Sequence, residues 1–192
     1  MNSIEIASLN VRGLGDNTKR KELFYWLYKQ KSEIIFLQET HSMGNLEKIW
    51  RTQWGGDIYF AHGDSNSRGV AILVKKNIPL KINDLISDDN GRYIILDAHV
   101  GDKDITLANL YAPNEDSPNF FLEVIEHIEN LPNDNRIIAG DFNLVLNTSI
   151  DKSGGRLLTH ERSKETLELW MQETDLLDIW RHQHPDKYMF TW

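Results

Sequence analysis

The chain has 192 residues, a formal net charge of −8, 40% hydrophobic and 26% charged residues, and no cysteine. That length suits one domain, residues 1–192, with a sizeable core. The composition excludes disulfides, Cys-based zinc sites and a basic nucleic-acid coat protein, but not a nucleic-acid enzyme whose metal supplies the local positive charge.

No apolar run reaches membrane-spanning length and no apolar stretch follows a basic start. The expected setting is intracellular. Ile4–Leu9 alternates enough for a strand ending at Asn10, and Gly13 and Gly15 mark the loop that follows. Residues 17–31 read as a helix with Leu23, Trp26 and Leu27 on its buried face, widened by Phe24 and Tyr28. Ile34–Gln38 reads as a buried strand stopping at Glu39. Residues 57–61 and 69–74 read as two strands joined through the polar loop His62–Arg68. Residues 92–100 and 104–111 form a second hairpin through Gly101-Asp102, ending at Tyr111.

Ser117 and Pro118 predict a helix start, and Phe121, Val124, Ile125 and Ile128 follow at helical spacing. Arg136–Gly140 is the next strand, ending at Asp141 and Asn143. After a Gly154-Gly155 loop, Thr159 is placed to cap a helix carrying Leu167, Trp170 and Met171. A short apolar run, Leu176–Trp180, follows, and Tyr188–Trp192 reads as the start of a strand. Strands that both pair as hairpins and alternate with helices predict a mixed-sheet α/β or α+β layered fold. The basic groups Lys19-Arg20-Lys21, Lys75-Lys76 and Arg162 with Lys164 read as solvated surface.

Asn10, Glu39, Tyr111, Asp141 and Asn143 share one property: each stands at or just after the end of a predicted strand. Functional groups gather where a rigid strand meets a loop. Carboxylates and carboxamides there are the oxygen donors that hard cations and polarised waters need. Taken singly, each residue also fits a turn, cap or surface role.

Four ordered motifs sharpen this. They are Leu9-Asn10-Val11-Arg12-Gly13-Leu14, Leu37-Gln38-Glu39-Thr40-His41, Asn109-Leu110-Tyr111-Ala112-Pro113-Asn114 and Gly140-Asp141-Phe142-Asn143. Together they resemble the endonuclease/exonuclease/phosphatase superfamily of exonuclease III and the apurinic/apyrimidinic endonucleases. Within it the sequence is most similar to the endonuclease domain of LINE-type retrotransposons. Gly69–Val74, Asp175–Arg181 and His184-Pro185 add to that likeness.

The resemblance implies a four-layer α/β/β/α sandwich of two mixed sheets and hydrolysis of a phosphodiester with Mg²⁺ (or Mn²⁺). It implies Glu39 as chief metal ligand with Asn10 beside it. Asp141 would activate water or protonate the leaving oxygen. Asn143 would hold the phosphate and pin Asp141, Tyr111 would reach the phosphate, and Asn114 would contact DNA. His41 follows the metal ligand, and a structural hydrogen-bonding role fits it at least as well as a catalytic one. His62, His99, His127, His160, His182 and His184 read as solvated or packing residues. DNA is the implied partner, no membrane is, and a reverse-transcriptase region would follow in the parent polypeptide.

The resemblance also implies a domain that continues past the segment matched by Phe190-Thr191-Trp192 to a Ser-Asp-His whose Asp–His pair is catalytic. This sequence holds no Ser-Asp-His; Ser87-Asp88-Asp89 belongs to an unrelated loop. The expectation is a fold incomplete at its C-terminus, with an unpaired sheet edge. Loss of general acid–base help costs about 10²–10⁴-fold in rate, so the chain alone would be a poor nuclease. The alternatives are an abasic-site repair enzyme or another phosphodiesterase of the superfamily, or a non-catalytic remnant.

Overall fold

A computed structural model describes residues 3–151 and 160–188. The Gly154-Gly155 loop, the Thr159 cap and most of the Tyr188–Trp192 segment lie outside the described residues. Two compact units divide the chain. The first comprises residues 1–112 and 128–141, the second residues 113–127 and 142–192.

The first unit holds eight strands in two mixed sheets. In the first sheet, β1 (Ile6–Asn10) runs parallel to β2 (Ile34–Gln38). β2 pairs antiparallel with β4 (Val70–Val74), and β4 with β3 (Asp57–Ala61). In the second, β5 (Leu80–Ser87), β6 (Tyr93–Val100) and β7 (Lys103–Tyr111) form an antiparallel run. β7 then pairs in parallel with β8 (Arg136–Asp141).

The apolar runs are continuous because the central strands are covered on both faces. Ile34 and Phe36 of β2, with Val70, Ile72 and Val74 of β4, pack against Ile94, Leu96 and Leu107 of the second sheet. The alternate residues Ile35, Leu37, Ala71 and Leu73 face the other way. They meet Phe24 and Leu27 of α1 (Asn17–Lys29) and Trp50 and Trp54 of α2 (Glu47–Trp54). Phe24 contacts both tryptophans edge-on, at centroid distances of 5.8 and 5.7 Å. The result is an α/β fold of two mixed sheets with flanking helices. No helix of the described residues is long and apolar enough to cross a membrane.

α1 begins where Asp16 accepts a hydrogen bond from Lys19 N at 2.7 Å, an N-cap. Its buried face differs from the predicted one. Arg20, Phe24 and Leu27 are buried, Leu23 is half-buried, and Trp26 and Tyr28 are exposed. The register turns because Arg20 takes a core position, so it is not solvated surface. Its guanidinium donates to Leu14 O at 2.8 Å, Gln53 Oε1 at 2.7 Å and Asn17 Oδ1 at 2.9 Å, and lies over Trp50 at 5.1 Å. A buried cation persists because its donors are satisfied.

The second unit holds most of α3 (Pro118–Glu129), together with α4 (Glu161–Glu173) and α5 (Ile179–Gln183). α3 starts at Pro118 and buries Phe121 and Val124, as its spacing predicts. α4 buries Leu167 and Trp170. Its first turn is capped from afar: Asp116 Oδ1 accepts from Ser163 N at 2.8 Å and Ser163 Oγ at 2.6 Å. The Ser163 hydroxyl leads the hydrogen bonds that lower the Asp116 pKa. Arg181 pairs with Asp151 and donates to the carbonyls of His184, Pro185 and Lys187.

Candidate active site

Parallel pairing brings the acidic ends together. β1 and β2 end side by side, with Asn10 opposite Gln38, so Glu39 follows directly. β7 and β8 end with Tyr111 opposite Asp141. The Asn10 side chain joins the two sheets. Its Nδ2 donates to Glu39 Oε1 at 2.8 Å and to Asp141 Oδ2 at 2.9 Å. A carboxamide has two N–H donors and both are used. Its Oδ1 accepts from Arg12 N at 3.1 Å, which fixes the amide's orientation.

Glu39 has a backbone φ of 52°, an uncommon conformation for a residue with a side chain. Neighbouring loops hold it there. Gly13 N donates to Glu39 O at 2.7 Å, Thr40 N to Gly69 O at 2.9 Å and His41 N to Arg68 O at 2.9 Å. His41 lies over Gly13, where a Cβ would meet its Nδ1 at 2.8 Å. The close approach requires glycine, and His41 serves the loop's packing. Gly140 has the same role before Asp141. Its φ is 144° and a Cβ there would come within 2.0 Å of Leu110 O, so only glycine lets β8 reach the site in this register.

The Tyr111 phenol faces the acids of this site, and its pKa is pushed up to about 12. Burial is the main cause, followed by the charge of Glu39 and the hydrogen bond to it, and by the charge of Asp141. Arg92, 5.6 Å from the ring centroid, opposes the shift. At neutral pH the phenol is therefore an O–H donor.

Two residues that were not singled out support this site from below. Gln38 and Asn109 are both buried, the first in β2 and the second in β7. Gln38 Nε2 donates to Asn109 Oδ1 at 2.7 Å and to Ser8 Oγ at 3.1 Å. Asn109 Nδ2 donates to Leu37 O at 3.0 Å and Ala71 O at 2.9 Å. The available signal was an amide inside each otherwise apolar strand, since buried polar residues are the informative ones.

His62 is likewise not a free solvated histidine. Its Nδ1 lies 2.9 Å from Ser42 Oγ and its Nε2 lies 2.9 Å from Glu47 Oε1. Ser42 Oγ in turn accepts from Thr40 Oγ1 at 3.1 Å, so this chain of bonds ends next to Glu39. Glu47 has its pKa lowered, chiefly by the hydrogen bond to His62.

The structure thus brings Asn10, Glu39, Tyr111 and Asp141 together. Asn143 and Asn114 belong to the second unit. Asn143 is half-buried with a φ of 49°, and Asn114 is exposed. Among the described residues no three His, Cys, Asp or Glu side chains cluster as a metal cage. The first-unit site instead offers two carboxylates and an amide, an oxygen-only donor set. Mg²⁺ is held in this way, by one or two carboxylates with water and phosphate completing its shell.

The site thus sets paired carboxylates and a phenol at the strand ends of two mixed sheets. Residues 7–187 match the Endonuclease/Exonuclease/phosphatase family, and the chain belongs to it. By class that family comprises endonucleases, exonucleases and phosphatases. The chain is 28% identical over 193 residues to the transposon TX1 uncharacterized 149 kDa protein of Xenopus laevis. The match covers 99% of this chain and 14% of that protein's length. Among solved structures, an AP endonuclease from Archaeoglobus fulgidus superposes with a TM-score of 0.71 at 20% identity, over 99% of this chain and 78% of that one. The AP endonuclease LMAP of Leishmania major gives 0.71 at 17%, over 96% and 70%. At these identities the likeness shows the fold.

Proposed function

We propose that the chain is a Mg²⁺-dependent phosphodiesterase that nicks DNA, acting as the endonuclease portion of a retroelement polypeptide. The observation that carries this reading is the Asn10 amide bridging Glu39 and Asp141. It holds the two acids close by supplying an N–H donor to each. Glu39 would hold the divalent cation, with Mn²⁺ a substitute, and Asn10 would orient Glu39 from behind. Asn10 Oδ1 is already bonded to Arg12 N, which favours this supporting role over direct ligation. The bound cation would polarise a phosphate oxygen and neutralise developing charge.

Asp141 accepts a proton from the attacking water or returns one to the leaving oxygen, while the Asn10 amide holds its carboxylate in place. Tyr111, protonated at working pH, donates its O–H toward a charged phosphate oxygen. Asn143 is assigned to the phosphate and Asn114 to the DNA by their places in the family motifs.

The test is nicking of supercoiled plasmid in Mg²⁺ by the chain extended through the Ser-Asp-His segment that the family resemblance implies. Glu39→Ala and Asp141→Ala should each lower the rate by about 10²-fold or more, and chelation should abolish it. Equal nicking by both variants would overturn the assignment. Parallel assays on abasic duplex, poly(A) and phospholipid separate the DNA-nicking reading from other phosphodiesterases. Absence of Mg²⁺ binding by calorimetry would favour a non-catalytic remnant.

A further inference from the structure

At the far end of the first sheet from Glu39, α1 presents a face that the proposed activity does not use. Tyr25 and Tyr28 are 68% and 62% exposed, and their spacing of three residues puts them on one side of the helix. Lysines frame them. Lys29 Nζ lies 5.2 Å from the Tyr25 ring centroid, and Lys75 Nζ lies 5.7 Å from that of Tyr28. Tyr28, Lys31, Glu33, Lys75, Lys76 and Asn77 line a shallow groove of about 490 Å³. Lys21, one turn before Tyr25, extends the row.

In a chain of net charge −8 this concentration of lysine is a local inversion. The carboxylates of the same region are Glu22 on α1, Glu33 in the groove, Glu5, whose carbonyl accepts from Glu33 N at 2.7 Å, and Asp57, opposite Val74 in register. Glu33 precedes β2 and Glu39 follows it. At about 3.3 Å per residue the groove and Glu39 are therefore roughly 20 Å apart, and one nucleotide cannot occupy both places.

We propose that this face binds single-stranded nucleic acid. Lysines that alternate with exposed rings meet the two demands of an unpaired strand, phosphate neutralisation and a platform for bases. Lys75 has its ammonium on Gln30 O at 2.6 Å, so Tyr28 and Lys75 form a fixed unit. Duplex bases are already stacked on one another and cannot use the tyrosines. An acidic protein segment would use the lysines but gain little from the rings, so the tyrosines decide between these occupants.

The experiment is fluorescence anisotropy of the full chain with labelled oligo(dT), oligo(U) and a duplex hairpin, in chelator so that cleavage plays no part. It is thus independent of the proposed activity, and a chain that fails to nick plasmid can still pass. The expected order is single strand tighter than duplex, and the two oligonucleotides distinguish a DNA from an RNA ligand. The Tyr25→Ala/Tyr28→Ala variant should weaken single-strand binding by about tenfold or more and leave duplex binding unchanged. Lys31→Glu/Lys76→Glu should weaken both and lower the salt slope by roughly one to two. Both sites are exposed, and matched thermal unfolding shows that the fold is intact. Single-strand binding that is absent, or unaltered in the tyrosine variant, overturns the proposal. So does polyglutamate bound as tightly with the same dependence on the tyrosines, which would assign the face to an acidic protein.

Discussion

Asn10 and Asp141 stand 131 positions apart and meet through a hydrogen bond of 2.9 Å. The same nitrogen reaches Glu39 at 2.8 Å, so one neutral side chain holds the acidic ends of two sheets at a fixed separation.

Replacing that amide tests the arrangement. Asn10→Ala leaves both acids without their shared donor and should raise the Mg²⁺ concentration for half-maximal nicking by about 10–100-fold, the usual effect of losing a group that orients a ligand. Asn10→Asp is the sharper probe. It replaces the donor with a third carboxylate, which can only accept, so both acids lose their hydrogen bond and nicking should fall at least as far as in Asn10→Ala. An unaltered metal requirement in both variants would make Asn10 a spectator.

Tyr111 gives a prediction on the alkaline side. Its phenol ionises at about 12 in the folded chain, against an ordinary value near 10. The folded state therefore holds the proton that the unfolded chain releases, and the associated stability is complete below about pH 10 and lost as pH rises toward 12. Between those values the wild type should lose stability more steeply than Tyr111→Phe, measured by denaturant unfolding at stepped pH. Nicking by Tyr111→Phe should be slower at neutral pH without a change in profile shape, because the phenol does not titrate there.

The central strands and their order of polarity were legible in the sequence because β2 and β4 are apolar on both faces and end abruptly at polar residues. α3 was legible from Pro118 and the spacing of Phe121 and Val124. α2 and β5 were not read. α2 has eight residues, too short for a periodic signal, and is held by Trp50 and Trp54 against the sheet. β5 is mostly exposed, with a register shift between Ile82 and Asp84, so it shows no apolar run. Tertiary packing overrode local pattern at α1, where Arg20 entered the core and turned Trp26 and Tyr28 outward. Strand ends pointed to Asn10, Glu39, Tyr111 and Asp141, but pairing partners such as Gln38 with Asn109 depend on sheet-to-sheet register, which one strand cannot reveal.

That amide pair is the remaining prediction. Asn109→Ala leaves the Leu37 and Ala71 carbonyls without the side-chain donor and deprives Gln38 of its nearest acceptor. An unsatisfied buried polar group costs about 1–3 kcal/mol. For a chain of this size the melting temperature should fall by roughly 5–10 °C. If the pair acts as a unit, Gln38→Leu/Asn109→Leu should be much less destabilising than the sum of the single changes, because no amide is then left unpaired. The double variant should also separate stability from activity. It keeps Asn10, Glu39, Tyr111 and Asp141 but removes the support beneath them, so nicking should fall even where the fold melts near its normal temperature. Strict additivity of the two single effects would show that Gln38 and Asn109 contribute separately.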